Sequence, residues 1–578
     1  MPAASPPRDT KLMIGVAVAF AVLCGASLAF MPLDGFWVVD NAAKQMQVEA
    51  LAASGGRDIS LQLSAAQRSI DPAASWNPVP FPFAVTRAGK VYPVFAPAFA
   101  LAAVPLQAVA GKAGLLVLPL LGGVFTLLGL VRLAAVVAPG DRHVAWLAPA
   151  LAGLCTPMWF YSLEFWEHTP AVALLVWSLW FTLRFLEAGR PRDLVLGAML
   201  AALGAWLRDD LLLLALVVVA TPVVCRRGLR PALLAAVAVL ACLLPLGLLQ
   251  WKLVGSPLGL HGPSHLGASS SLGAHLAARP AVFYSMFLAA GPGKAVSIAL
   301  CLPLVALLAL GRRAPTSRPA LLLLPVTVLA LAAAFVFARG LAGPDGPIVH
   351  ILRSSNAFLA AAPLVALGCV APFRGNGARD KAQQDAGESA WRRLRLLAGA
   401  WALLYGLAAP LLGANGVHWG NRYLLALYPL LCLPAAIHLR QALRAGNGAL
   451  AVSLKGALAV LVLASVGLQV WSLALLREKK QFTHRANERI EALQAPVVVT
   501  DVWWVPQELP KQVARSIFLV RSDQERDALD ARLRATGHPQ VLYVTRPGRP
   551  VTGRPLATVP DGNLRFYSLA IVQHPTGP

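Results

Sequence analysis

The chain has 578 residues, of which 57% are hydrophobic and only 13% charged, with a formal net charge of +23. Soluble domains run at about 45–50% apolar and about 25% charged, so the composition excludes a soluble globular protein and points to a polytopic membrane protein. The positive charge is not a nucleic-acid footprint: the arginines fall in short groups between apolar runs, as in the cytoplasmic loops of membrane proteins, and no nucleic-acid partner is expected.

The first apolar run, Leu12 to Met31, follows Arg8 and Lys11 and is about long enough to span at roughly 20 residues. It ends in Phe30-Met31-Pro32 with no small-residue cleavage site, so it reads as an anchor with the N-terminus inside. Residues 32–111 then form a first outer loop with interfacial helices. Within it, VVDNAAKQMQVEALAA reads as a helix lying at the outer surface, with Val39, Ala43, Met46, Ala50 and Ala53 on an apolar stripe and Asp40, Lys44 and Gln47 on a polar face. Asp40, at the start of that helix, is either a site carboxylate or a helix cap. The segment Tyr92 to Ala110 carries Pro93, Pro97 and Pro105, which favours an interfacial or re-entrant path over a clean span.

Further spans are expected at Leu115–Val137, Val144–Leu163, Thr169–Phe185, Leu194–Leu207, Leu211–Val224, Pro231–Gln250, Ala295–Leu310, Ala320–Ala338, Phe358–Val370, Leu396–Gly413, Tyr423–Ile437 and Leu450–Leu475. This alternation places nearly every arginine pair inside. All seven cysteines lie in apolar runs, which supports neither a disulfide framework nor a thiolate metal site. The resulting fold class is an α-helical polytopic membrane protein of about 13 transmembrane helices over residues 1–475. A small C-terminal soluble α/β domain follows over 476–578, outside the cytoplasm. There APVVVTDVWWVP, RSIFLV and QVLYVTR read as short β-like runs, LRFYSLAIV as a final strand and DQERDALDARLRATG as a helix.

The same parity puts two acidic groups on the outer side. One is Asp40; the other is Glu164, Glu167 and His168 in FYSLEFWEHTP. Glu164 and Glu167 would share a face if the helix continued through them. The three are candidate ligands for a divalent metal, though E-x-x-E-H across a loop is a weak metal pattern, and a solvated loop is the bland alternative. Cations expected outside are Lys44, Arg87, Lys90, Arg208, Lys252, Arg353 and Arg422. Such cations beside aromatics suit a lipid phosphate, most clearly in RAGKVYPVFAP and HWGNRYLLALYP, whereas Arg208 beside Asp209 and Asp210 also reads as a local ion pair.

In order and sidedness, GFWVVDNAAKQMQ, GKVYPVFAPAFALAAVPL, YSLEFWEHTPA and WGNRYLLALYPLL, with the soluble tail, resemble the GT-C class of membrane glycosyltransferases, which includes protein O-mannosyltransferases and aminoarabinose transferases. No W-W-D-x-G motif of the oligosaccharyltransferase type is present. The resemblance implies an enzyme of the inner (cytoplasmic) membrane that inverts the anomeric centre as it moves a sugar from a polyprenyl-phosphate donor to a lipid, glycan or protein acceptor at the outer face. It further implies Asp40 as catalytic base, Glu167 with Glu164 or His168 to orient the acceptor or hold a metal, and Lys90 and Arg422, with Lys44, Arg87 and Arg208, at the donor phosphate. A lipid-linked glycan polymerase or ligase would use the same donors. A transporter or flippase would show internal repeats and charges near mid-membrane, a pattern not seen in this sequence.

Overall fold

The computed structural model describes residues 7–261, 271–287, 358–369, 381–409, 418–444, 449–508, 516–560 and 568–577. The chain begins with α1 (Pro7–Leu28), then α2 (Val39–Ala53), α3 (Ala65–Ile70) and an antiparallel hairpin of β1 (Ala84–Arg87) and β2 (Lys90–Pro93). A helical body follows: α4 (Pro97–Leu115), α5 (Val117–Val137), α6 (Arg142–Cys155), α7 (Met158–Tyr161), α8 (His168–Ala188), α9 (Pro191–Ala205), α10 (Leu211–Val224) and α11 (Leu229–Val254). It is completed by α12 (Lys381–Ala408), α13 (Leu427–Arg444) and α14 (Ala449–Ala492).

Among the described residues, six helices are long and apolar enough to cross a membrane, in α1, α4, α5, α8, α11 and α14. The protein is therefore a multi-pass helical membrane protein. The spans expected at 295–310 and 320–338 lie outside the described residues, as does Arg353. The expected span Phe358–Val370 is not one helix: a short turn of helix over Phe358–Ala361 gives way to a 3-10 stretch over Pro363–Cys369, because Pro363 cannot donate to the helical ladder.

α4 is apolar but broken. Gly111 has φ +56° and ψ −138°, a conformation that glycine reaches without a side-chain penalty, and Gly114 then packs against the Leu106 backbone carbonyl. The continuous part, residues 97–110, is about 21 Å long, short of a hydrocarbon core of about 30 Å. The proline-rich segment is thus bent at Gly111 rather than running straight into α5.

The two ends of the bundle differ in chemistry. At one end, Arg227 and Arg393 both donate to the Leu186 carbonyl at the C-terminus of α8 (2.5 and 3.3 Å). Arg184 pairs with Asp193, and Arg440 and Arg444 approach Asp141. Cations at a helix C-terminus complement its exposed carbonyls and dipole. The other end carries α2, the loop after α7, the turn between α9 and α10, and the residues just before α13.

α2 was expected to lie on the surface and instead is buried over most of its length, with Glu49, Ala52 and Ala53 left exposed. Asn41, Lys44, Gln45 and Gln47, as well as Val39, Met46 and Leu51, are nearly inaccessible. The reason is that α4, the 163–167 loop and a helical turn at Val505–Glu508 close over its polar side, so its polar residues find partners inside. Gln47 donates to the Phe95 carbonyl (3.0 Å) and Asn41 to that of Phe165 (3.1 Å).

The C-terminal residues form one sheet ordered β4 (Ser516–Leu519), β3 (Val497–Thr500), β5 (Gln540–Thr545), β7 (Leu569–Pro575), β6 (Arg554–Val559). β3 pairs in parallel with β4 and β5, and the β5, β7 and β6 pairings are antiparallel. Alternation sorts its two faces. Val499, Phe518 and Tyr543 pack on Leu529 and Leu533 of the crossover helix α15 (Asp523–Ala535). Val498, Ile517, Leu542 and Ile571 join the main core, which includes Phe482 and Ile490 of α14. The sheet is thereby held on the end of the last long helix.

Candidate active site at the acidic end of the bundle

The first turn of α2 presents Asp40. The helix N-cap position is Val38, whose backbone N–H donates to the Asn41 side chain (3.1 Å), so Asp40 is not the cap. Its carboxylate instead receives Arg422 Nη1 at 2.8 Å, with both side chains largely buried. Arg422 is set by a 3-10 turn, Arg422–Leu424, whose N-cap Asn421 accepts from the Tyr423 and Leu424 backbone N–H groups. Its other Nη donates to the Tyr423 hydroxyl (3.0 Å), and its plane lies 5.3 Å from the Trp166 ring. Packing and hydrogen bonds thus fix the guanidinium on several sides.

One turn along α2, Lys44 pairs with Glu167 (3.2 Å) and sits 3.7 Å over the Phe95 ring. Glu167 also faces Arg208 (3.9 Å). Arg208, in the turn between α9 and α10, donates through Nε to Asp210 (2.8 Å) and through Nη1 to His168 Nδ1 (2.6 Å). Because arginine can only donate, that contact makes Nδ1 the acceptor nitrogen of the imidazole. A small cleft opens among His168, Arg208, Asp210, Trp401, Arg422 and Tyr423. Two guanidinium groups therefore face one small space, the arrangement that receives a phosphate or carboxylate most readily.

The remaining residues expected at the site go elsewhere. Glu164, three residues before Glu167, meets a different cation, because residues 162–167 are a turn and not a continued helix. Its carboxylate meets Lys480 of α14 (2.8 Å), and Lys480 also donates to the Leu163 carbonyl. Burial raises the Glu164 carboxyl above its usual range, against the lowering pull of Lys480. Lys90 is exposed and paired with Asp58 (2.7 Å), and Arg87 donates to the Val254 carbonyl (3.0 Å). Neither is brought to the Asp40 cluster. Lys252 is exposed in the last turn of α11.

As ligands for a metal, Glu164, Glu167 and His168 do not converge. Each faces a protein cation: Lys480 for the first, Lys44 and Arg208 for the second, Arg208 for the third. Among the described residues no group of three His, Cys, Asp or Glu side chains is placed to hold a metal ion.

Comparison with known proteins adds two structures. No family profile matches the chain, and no curated protein matches it. ArnT from Cupriavidus metallidurans bound to undecaprenyl phosphate is similar over 98% of both chains, at 14% identity and a TM-score of 0.49. The apo state of the same protein is similar over 97% of both chains, at 14% identity and a TM-score of 0.47.

Several residues at the site were not singled out from sequence. Tyr161, at the end of α7, is fully buried, its ring 5.6 Å from that of Trp166 and 5.3 Å from that of His168. His418 lies 5.5 Å from the Trp166 ring, and burial, followed by the charge of Arg422, lowers its pKa well below 6.5. Tyr423 adjoins an arginine already marked, so adjacency was the available signal, whereas Asp210 was named from sequence as an ion-pair partner of Arg208, and that pair forms. Tyr161 and His418 carried none, because only the folded chain brings them to Trp166.

Proposed function

We propose that the protein is an inverting glycosyltransferase that moves a sugar from a polyprenyl-phosphate donor to an acceptor hydroxyl at the outer face of the cytoplasmic membrane. The observation that carries this reading is the buried Asp40–Arg422 pair, whose Arg422 lines, together with Arg208, one cleft at the end of the bundle opposite the arginine-rich loops. A carboxylate and two guanidinium groups at one point suit a reaction in which a hydroxyl loses a proton while a phosphate gains charge. The motif order that resembles GT-C enzymes supports the same reading.

In this reaction the acceptor oxygen attacks the anomeric carbon from the side opposite the phosphate, and the carbon–phosphate-oxygen bond breaks with inversion. Asp40 takes the hydroxyl proton on the oxygen not engaged by Arg422. Help of this kind is worth about 10² to 10⁴ in rate. Arg422 and Arg208 receive the charge that grows on the departing phosphate, and Lys44 holds Glu167 at the acceptor side. These contacts replace the Lys90 and Arg87 contacts expected from sequence.

The test uses full-length protein in lipid nanodiscs, a polyprenyl-phosphate donor with a radiolabelled sugar, and a membrane lipid extract. Label should move to an acceptor as polyprenyl phosphate is released. Asp40→Asn keeps the side-chain shape but cannot accept the proton, so turnover should drop by roughly 10² or more with polyprenyl-phosphate binding largely kept. No release of polyprenyl phosphate by the parental protein would end the glycosyltransferase reading, and near-normal turnover of Asp40→Asn would remove Asp40 as the base.

A further inference from the structure

The turn between α9 and α10 separates two clefts. Arg208 and Asp210 line the cationic one, and Asp209, between them, lines a second, shallow cleft. Its walls are mostly carbon, from Pro93, Pro97 and Leu258 among others, with three polar side chains, Asp209, His261 and Gln250. Asp209 and His261 pair at 2.9 Å while both stay open to solvent, at 41% and 44% side-chain exposure. Gln250 packs directly on Gly259, which has φ +70° and leaves no room for a Cβ. Phe95 lines this cleft too, and its ring carries Lys44 at 3.7 Å, so the cleft ends one aromatic ring away from the Lys44–Glu167 pair.

The two clefts thus differ in sign. One offers guanidinium groups; the other offers a half-exposed carboxylate with an imidazole and an amide along an otherwise apolar wall. A phosphate is drawn to the first more than to the second, where the carboxylate is shared with His261 and Arg87 is bound to the Val254 carbonyl. A few convergent polar groups on a carbon wall match a sugar, whose hydroxyl edge hydrogen-bonds while its C–H face packs.

We infer that the second cleft is the acceptor site and that it takes an uncharged carbohydrate head group. Its assignment to the acceptor rests on the glycosyltransferase reading, but its ligand preference does not, so binding can be tested without turnover. The probes are hexyl glucoside and hexyl glucuronide, which share a ring and differ by one carboxylate, offered to full-length protein in nanodiscs and followed by saturation-transfer NMR.

The parental protein should hold the glucoside at least roughly five-fold tighter than the glucuronide, since like charges brought together are disfavoured. Asp209→Asn should close most of that gap by admitting the glucuronide, and His261→Gln should weaken the glucoside. Both side chains are half exposed, so neither change should unfold the protein, which an unchanged thermal midpoint will show. Polyprenyl phosphate should leave glucoside binding in place. Equal binding of the two probes, a preference unaltered in Asp209→Asn, or displacement of the glucoside by polyprenyl phosphate would each overturn the proposal. Absence of sugar transfer would bear only on the glycosyltransferase reading.

Discussion

Arg422 is the residue on which the site turns, because it touches Asp40 and Tyr423 and lies over Trp166 while still lining the cleft. Lysine at this position keeps the charge but loses the planar fork that holds two partners at once. Arg422→Lys should therefore weaken polyprenyl-phosphate binding by about ten-fold, read by titration of the protein's tryptophan fluorescence, with Asp40 left less well oriented. Binding at the parental level would move the phosphate away from Arg422. His418 makes a pH prediction. Its folded pKa is held below the ordinary 6.5 by burial and by Arg422, so below that pH the unfolded chain binds more protons than the folded one. Stability is full above about 6.5 and is lost as pH falls. The thermal midpoint should drop between pH 7.5 and about 5.5, and drop less in His418→Gln; equal slopes would show that His418 does not contribute. Sequence reading marked Asp40, Glu167, Lys44, Arg208 and Arg422, which the fold brings into one cluster, because charged side chains stand out in apolar surroundings. It misjudged Glu164, since whether residues 162–167 continue a helix decides which cation each carboxylate meets, and nothing local in LEFWE fixes that.

Among the elements, α14 connects the two parts of the protein. It runs 44 residues, about 66 Å, through Arg477, Lys479 and Lys480, a charge run that reads in sequence as the end of the membrane part. The helix continues there because the lysines find buried carboxylates: Lys479 pairs with Glu508 below the sheet, and Lys480 with Glu164. Thr483 donates to the Phe36 carbonyl one turn on (3.3 Å). One helical turn therefore holds the loop before Glu167 and the segment before Asp40. Lys480→Met leaves the Glu164 carboxylate buried without its cation and should cost about 3–5 kcal/mol, seen as a lower thermal midpoint. Adding Glu164→Leu should recover most of it, since a buried pair replaced by apolar groups is often neutral. No recovery would mean that Glu164 has a second role. Strand legibility followed burial: β3, β4, β5 and β7 were visible as apolar runs, whereas β6, Arg554–Val559, is mostly exposed and has no run to read.

At the scale of the whole molecule, the membrane class and the opposition of the two ends were legible, because bilayer thickness and the arginine bias act on every loop alike. The packing of α2 was not: its amphipathic pattern fits a surface helix, and only the elements that close over it show otherwise. The element order predicts the N-terminus inside and the C-terminal sheet outside. A reporter that works only outside the membrane, fused after Pro578, should be active, and a signal only from a cytoplasmic reporter would invert the site's sidedness. The chain as a whole carries +23, yet in the acidic-end cluster three carboxylates, Asp40, Glu167 and Asp210, meet three cations, Lys44, Arg208 and Arg422. A phosphodiester donor entering this balanced set brings one extra negative charge. In the proposed reaction Asp40 would become neutral on accepting the hydroxyl proton while the departing phosphate became doubly charged, so the total within the site would not change. The proposed transfer then amounts to moving one charge from Asp40 to the phosphate, with Arg422, released by the first, already in place for the second.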